Sequence, residues 1–224
     1  MTVQEMHYAI DQGLQKVGSF IYDNFLPEEI DFFLNKMQER FVKDRFSRFS
    51  DPKQLGLSFN QKRLDDLRAI MEVDFTDTNI PNPSAPYIRY DLPIDYMFLV
   101  NLRVMLTPAH CDDSVVNHVP ARVLEQDKLY EQLRNPFAKS LMTTPVASIS
   151  VEDITVFQDK KFILKGVELD YIRTPEKISL SLSQDCELAQ HTHHEIVDLT
   201  VKHILEVIES PRMQTNMIEE SQSD

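Results

Sequence analysis

The last apolar segment of the chain places the strongest constraint on its fold. Eight apolar side chains between Ile196 and Ile208 cover more than half of a helix circumference, which is too wide a stripe for a surface helix. Thr192 and Glu195 have the spacing of a capping box at the helix start, and Pro211 predicts that the helix has ended. The pattern therefore predicts a buried helix that closes the fold, followed by a polar, extended tail.

Further helices are predicted in the first third of the chain. Thr2 and Glu5 repeat the capping-box spacing, and apolar residues follow at helical intervals to about Val17. Pro27 suits the first turn of a second helix of about twenty residues. A third, shorter helix is expected from a cap at Asn60 and includes Met71 on its apolar face. These helices predict an N-terminal bundle.

The middle of the chain changes to the period of two that is typical of strands. Thr76–Pro86 is rich in proline and predicts a linker. Gln158–Lys161 predicts a hairpin turn, Gly166 a bulge, and Pro120 or Ala121 the start of a short helix. The predicted strands are Tyr87–Tyr90, Met97–Leu106, Val146–Ser150, Ile154–Phe157, Phe162–Arg173 and Ile178–Leu182.

This order of elements predicts an α+β fold. We expect an N-terminal helical bundle of two long helices plus a shorter one, an antiparallel β-rich middle, and a closing C-terminal helix with an extended tail. The corresponding segments are 1–75 for the first part of the bundle, 76–185 for a β-rich insertion with one short helix, 186–210 for the closing helix and 211–224 for the tail. We expect them to form one compact unit overall.

Composition narrows the classes of function. The net charge of −13 argues against a surface that wraps nucleic acid, although an acidic wall beside DNA would keep the polymer from sticking. No apolar run approaches the roughly 18 residues of a membrane span, and Met1–Glu5 do not resemble a signal peptide. Two cysteines, Cys111 and Cys186, fit a reducing compartment, so we expect synthesis and use in a cytoplasm.

Glycine content argues against a nucleotide cofactor. The chain has four glycines, and none of them follow one another at the spacing of a dinucleotide fingerprint or a phosphate-binding loop. They are Gly13, Gly18, Gly56 and Gly166. We therefore expect no cofactor.

Three groups of residues are candidates for a metal site or a catalytic site. His191, His193 and His194, with Cys186 upstream, are possible zinc ligands, but their spacing does not place a pair on one helix face. The segment His110–Asp113 offers a possible Cys–His pair, although neighbours in sequence usually point apart.

The third group, Asp153 with Asp159, Lys160 and Lys161, loosely resembles a metal-dependent nuclease core. Polar residues are equally expected there, because the same positions form a predicted turn. We therefore expect neither a metal site nor catalysis from these three groups.

A fourth group indicates contact with another protein. Phe46 and Phe49 alternate with Arg45 and Arg48 near the end of the second helix, and aromatic residues and arginine are enriched at protein interfaces. A place in the core is the alternative for these phenylalanines, together with Phe32, Phe33 and Phe41 earlier in the helix.

Several segments resemble a known family of virion proteins. The order and number of these segments, which cover both ends and the β-rich middle, are similar to the head-tail connector (adaptor) proteins of tailed bacteriophages, particularly crAss-like phages. The segments are Met1–Tyr8 (MTVQEMHY), Leu26–Asp31 (LPEEID), Asp170–Lys177 (DYIRTPEK), His191–Asp198 (HTHHEIVD) and Glu209–Asn216 (ESPRMQTN).

The resemblance implies a non-enzymatic virion component at the head-tail junction, made in the host cytoplasm. Copies would form a ring, typically twelvefold, beneath the portal protein, and genomic DNA would pass through the lumen without specific binding. The next tail or ring protein would be a further partner, and no membrane would be involved. The tail would act as an arm that reaches a partner through Arg212, Met213, Gln214 and Asn216.

Two alternatives remain open from the sequence. The chain could be another stacked ring or a tail-joining protein of the virion. It could also be a metal-dependent hydrolase that uses His191, His193, Asp112 or Asp153, which the spacing of these residues disfavours.

Overall fold

The computed structural model describes residues 1–15, 25–46, 65–77, 87–109, 116–135, 140–159 and 161–207. The chain divides into two compact units. Unit 1 combines Met1–Ile70 with Thr174–Asp224, and unit 2 is Met71–Arg173. The fold class is α+β, as predicted, with helices toward both ends of the chain and two β-sheets between them.

Four helices and eight strands have both ends described, and residues 65–67 are also helical. Two short 3-10 turns, Arg68–Ile70 and Gln190–Thr192, precede β1 and the last helix. The elements in chain order are α1 (Val3–Gln15), α2 (Pro27–Phe46), β1 (Met71–Asp77), β2 (Tyr87–Asp91), β3 (Tyr96–Pro108), β4 (Asn117–Pro120), β5 (Arg122–Leu124), α3 (Gln126–Arg134), β6 (Val146–Ile149), β7 (Asp153–Phe157), β8 (Phe162–Arg173) and α4 (His193–Val207).

Unit 1 is built on α4, which packs against both α1 and α2. The helix buries a continuous face that includes Ile196 and Ile204, so the prediction of a buried closing helix is confirmed. Helices α1 and α4 approach closely at Gly13, where an added Cβ would lie 2.9 Å from Cγ2 of Val201. The tail that was predicted after Pro211 lies outside the described residues.

The two predicted capping boxes have different outcomes. At α1, the amide of Thr2 donates to Glu5 at 2.9 Å and the amide of Glu5 donates to the Thr2 hydroxyl at 3.3 Å, which confirms the box. At α4 the prediction is wrong, because the Thr192 hydroxyl donates to the carbonyl of Ala189 at 2.8 Å and Glu195 forms an ion pair elsewhere. A 3-10 turn at Gln190–Thr192 leads into the helix instead.

The segment that returns from unit 2 is held by polar side chains of α2. Asn35 accepts from the amide of Ile178 and donates to its carbonyl, both at 2.8 Å, and Asp31 accepts from the amide of Leu180 at 3.0 Å. The predicted strand Ile178–Leu182 is therefore wrong. Residues 180–183 form a turn in which Ser183 has a φ of 53°.

Unit 2 contains two four-stranded sheets. Sheet 1 has the order β1-β8-β3-β4 and is antiparallel throughout, whereas sheet 2 has the order β2-β7-β6-β5 with a parallel β5–β6 pair. The β-rich middle of the chain therefore contains both parallel and antiparallel strand pairs, and the prediction that it is antiparallel holds only for sheet 1. Both sheets contribute to one apolar core, which includes Leu102 and Leu164 from sheet 1 and Ile154 and Val156 from sheet 2.

Several strand predictions in unit 2 are confirmed. Strand β8 spans Phe162–Arg173 as predicted, and β3 buries Leu102, Val104 and Leu106 on one face. A register shift lies beside Gly166, because Met105 pairs with Gly166 while Leu106 pairs with Leu164. That shift is the bulge that the glycine predicted.

Other predictions in unit 2 are wrong, and in each case long-range pairing is the reason. Met71 starts β1, which pairs with β8, and does not extend the third helix. Ala121 joins β4 to β5, and the following helix starts only at Gln126. Strands β7 and β8 belong to different sheets, so Gln158–Lys161 connects two sheets and is not a hairpin turn.

Candidate assembly interface

The predicted contact residues Arg45 and Phe46 lie at the C-terminal end of α2. The side chain of Arg45 is 22% exposed, and Phe46 is half-buried. The other predicted contact residues lie outside the described part of the chain. They are Arg48, Phe49, Arg212, Met213, Gln214 and Asn216.

Arg45 belongs to a polar cluster that joins three segments of unit 1. Its Nε lies 3.1 Å from Oδ2 of Asp66, without the alignment of a hydrogen bond, and its Nη2 donates to Glu195 at 2.5 Å. Nε2 of His191 lies 2.7 Å from the other Asp66 oxygen. The Asp66 side chain is 1% exposed, and a buried carboxylate needs such partners because burial disfavours its charge.

The cluster also links the two ends of segment 47–64. Arg45 stands just before that segment, with its guanidinium 4.8 Å from the ring centre of Phe41, and Asp66 stands just after it. The Arg45–Asp66 ion pair therefore brings together two described residues that flank this segment in sequence. The predicted contact residues Arg48 and Phe49 lie between them in sequence, outside the described residues.

The three histidines that are candidate zinc ligands do not share a common contact. His193 accepts from the amine of Met1 at 3.0 Å and donates to the carbonyl of Leu188 at 2.8 Å, whereas His191 contacts Asp66 and His194 is exposed. Burial raises the pKa of the Cys186 thiol. Within the described residues, no three His, Cys, Asp or Glu side chains are grouped in a way that could hold a metal ion.

The other chemical candidates have ordinary structural positions. Asp153 opens β7 directly opposite Asp91 of β2. The carbonyl of Asp159 accepts from the amide of Phe162 at 3.2 Å, and that of Lys161 accepts from Ala109 at 3.0 Å. The segment His110–Asp113 and Lys160 lie outside the described residues.

Unit 1 carries an aromatic patch, which we define as Phe25, Leu26, Phe32, Phe33 and His203. Leu26 and Phe32 are its exposed members, Phe25 and Phe33 are half-buried, and the His203 side chain is 16% exposed. The Phe33 ring lies 6.1 Å from Phe25, 5.8 Å from Phe32 and 5.9 Å from His203, all edge to face. Leu26 is 62% exposed and Phe32 is 64% exposed. A contiguous surface of this kind marks a contact site more often than an isolated apolar residue does.

The sequence carries one signal for the aromatic patch. Leu26 precedes Pro27, the first residue of α2, and this capping position favours Ser, Thr, Asp or Asn over an aliphatic residue. Glu29 forms only the reciprocal half of a capping box, by accepting a 2.9 Å hydrogen bond from the amide of Leu26. Leucine has no side-chain acceptor for the amides of the first turn, so its presence at this position is not explained by capping.

No protein-family model matches the sequence, and no curated protein matches it. Among the helices of the described ranges, none combines the length and the apolar character needed to cross a bilayer. Evidence about function therefore comes from the residues and contacts of the chain itself.

Proposed function

We propose that the chain is a structural subunit of a bacteriophage head-tail connector, which forms a ring beneath the portal protein and extends the DNA channel. The observation that carries the proposal is the aromatic patch beside the segment Leu26–Asp31, one of the segments that resemble connector proteins. A ring subunit must expose apolar surface as a free chain, because that surface becomes buried only on assembly.

The segments that carry the resemblance also contact one another in unit 1. Nε2 of His7, from Met1–Tyr8, lies 2.8 Å from Asp31 of Leu26–Asp31, and Asp31 in turn accepts from the amide of Leu180. His193, from His191–Asp198, accepts from the amine of Met1 at 3.0 Å. These polar ties support the proposal because segments that are far apart in the sequence and carry the resemblance contact one another in unit 1.

The charge of the chain suits a channel that DNA crosses without being held. A net charge of −13 repels the phosphate backbone, and a ring multiplies that charge by its number of copies. An acidic lumen would therefore let the polymer slide instead of binding it. Portal protein and the next tail or ring protein are the partners expected at the two faces of the ring.

An assembly assay with a matched control tests the proposal. The purified chain is mixed with portal protein and examined by electron microscopy and light scattering, as wild type, as Phe32→Glu and as Tyr130→Glu. Tyr130 is a suitable control because it is 78% exposed but lies on α3 in unit 2. Wild type and Tyr130→Glu should form rings or ring–portal complexes, whereas Phe32→Glu should weaken assembly by about 30-fold or more, as expected for loss of an interface hot spot.

Two results would contradict the proposal. A wild-type chain that stays monomeric with and without portal protein would refute a connector role. Equal assembly of all three chains would remove the aromatic patch from the interface. A map of the intact virion would then separate a ring next to the portal from a ring lower in the tail.

A further inference from the structure

Sheet 2 of unit 2 has two exposed aliphatic side chains at one end. Ile94 lies in the turn after β2 and Val151 in the turn before β7. Their relative exposures are 108% and 96%, so both residues are fully open to solvent. The two turns are neighbours, because the amide of Leu92 donates to the carbonyl of Glu152 at 2.8 Å. Single exposed aliphatic residues are common, but a fully exposed pair at one end of a sheet is a candidate contact surface.

Carboxylates surround this pair. Asp91 and Asp153 are directly opposite each other in the β2–β7 ladder, a position in which like charges destabilise a sheet. Glu152 is exposed between Val151 and Asp153. We call Ile94, Val151, Asp91, Glu152 and Asp153 the acidic end of sheet 2, and a cationic partner would relieve the repulsion within it.

The other end of the same strand pair has the complementary character. Tyr87 opens β2 opposite Phe157, with their ring centres 6.3 Å apart, and the guanidinium of Arg89 lies 5.5 Å from the centre of the Tyr87 ring. Tyr87 and Arg89 are exposed, and β2 is an edge strand of sheet 2. We call Tyr87, Arg89 and Phe157 the aromatic end. Tyrosine and arginine are the residues most enriched at interface hot spots.

We propose that the acidic end of one copy docks against the aromatic end of the next copy. The charge signs match, since Arg89 would lie against Asp91 and Glu152 while Ile94 and Val151 cover the Tyr87 and Phe157 rings. If each copy uses its acidic end for one neighbour and its aromatic end for another, the contact is heterologous and repeats from copy to copy until a ring closes. A wild-type chain that forms only closed dimers would contradict this arrangement, because both ends would then be used on a single partner. This inference rests on the proposed ring and assigns the self-contact that such a ring requires.

The test uses one full-length variant for each surface. Val151→Asp adds charge to the aliphatic pair of the acidic end, and Arg89→Glu reverses the charge of the aromatic end. Val116→Asp is the matched control, because Val116 is a 41% exposed valine directly before β4 of sheet 1. Each protein is first checked for wild-type circular dichroism and is then examined by analytical ultracentrifugation over a wide range of concentrations.

The expected result distinguishes a head-to-tail contact from other kinds. Val151→Asp and Arg89→Glu alone should stay monomeric where wild type and Val116→Asp assemble, with self-association weakened about 30-fold or more. An equimolar mixture of the two variants should form dimers and nothing larger, because one intact acidic end and one intact aromatic end remain. Glu152→Arg and Arg89→Glu should each weaken assembly on their own. The double variant should assemble again, because it exchanges the two charges and the surfaces again carry opposite signs at these positions.

Other results overturn the inference and leave the proposed function separately testable. Wild-type chain that is monomeric at every concentration excludes this self-contact, whereas the connector role still depends on the portal assay. Rings that form normally from both variants exclude these surfaces while supporting a ring. Variants that still assemble with themselves but no longer bind portal protein would show that these surfaces contact the portal protein and not a second copy of the chain.

Discussion

The hydrogen bonds between Asn35 and Ile178 lead to a specific prediction about the stability of unit 1. The Asn35 side chain pairs with both backbone polar groups of Ile178 at 2.8 Å and donates to the carbonyl of Asp31. Ile178 is only 1% exposed, so water cannot take over these bonds after Asn35→Ala. The returning segment would then contain an unsatisfied amide and an unsatisfied carbonyl.

The expected cost follows from these contacts. Each lost hydrogen bond contributes about 1 kcal/mol net, and leaving a buried partner unsatisfied raises the penalty to about 1–3 kcal/mol. For the two bonds to Ile178 we expect the free energy of unfolding of unit 1 to fall by about 2–6 kcal/mol. With a slope of about 2 kcal/mol per M, the urea midpoint would fall by about 1–3 M.

Two measurements check this value. Urea unfolding followed by circular dichroism reports the midpoint, and hydrogen exchange at the Leu180 amide reports local opening of the returning segment. Asn101→Ala is the matched control, since the Asn101 side chain is exposed and makes a single 3.2 Å bond to Asp170; its effect should stay within about 0.5 kcal/mol. An Asn35→Ala protein with an unchanged midpoint and unchanged Leu180 exchange would refute the reasoning.

Two further predictions concern buried groups of unit 1. Arg45→Met should lower the free energy of unfolding by about 3–5 kcal/mol, because the carboxylate of Asp66 stays buried without its guanidinium partner; Arg40→Met, which removes an exposed pair, should change it by less than about 1 kcal/mol. Burial raises the pKa of the Cys186 thiol, so above about pH 8.5 the unfolded chain releases this proton first and stability falls as pH rises. In a Cys111→Ser background, urea midpoints from pH 7 to 10 should show this fall, and Cys186→Ala should flatten it.

Local sequence patterns predicted the elements that depend on nearby residues. The Thr2–Glu5 capping box and the ends of β8 are confirmed because a capping box spans four residues and a half-buried strand shows in its own alternation. The MEVDFTD alternation of β1 was present as well, but Met71 also continued the helical spacing before it. A residue such as Met71, which fits both a helical and a strand pattern, can be assigned to one of them only when its pairing with another strand is known.

Long-range contacts explain the errors. Ile178–Leu182 alternates like a strand, yet side chains of α2, more than a hundred residues earlier in the chain, bind its backbone. Thr192 and Glu195 have capping-box spacing, but Arg45 competes for the glutamate with a full positive charge. The aromatic patch was not predicted, because a place in the core was the alternative for Phe32 and Phe33, and His203 joins it only because α4 packs on α2.

The order of the chain within unit 1 affects when that unit can fold. Helices α1 and α2 emerge early from the ribosome, but the helix on which they pack begins only at His193, about 120 residues after Ile70. At about 5–20 residues per second, this delay lasts roughly 6–24 s, and unit 2 is complete before it ends. The contact between Phe33 and His203 within the aromatic patch therefore forms only after α4 has been synthesised. Until then the Phe25, Phe32 and Phe33 rings lack the helix that packs beside them, and the patch takes its final form only after unit 2 has been made.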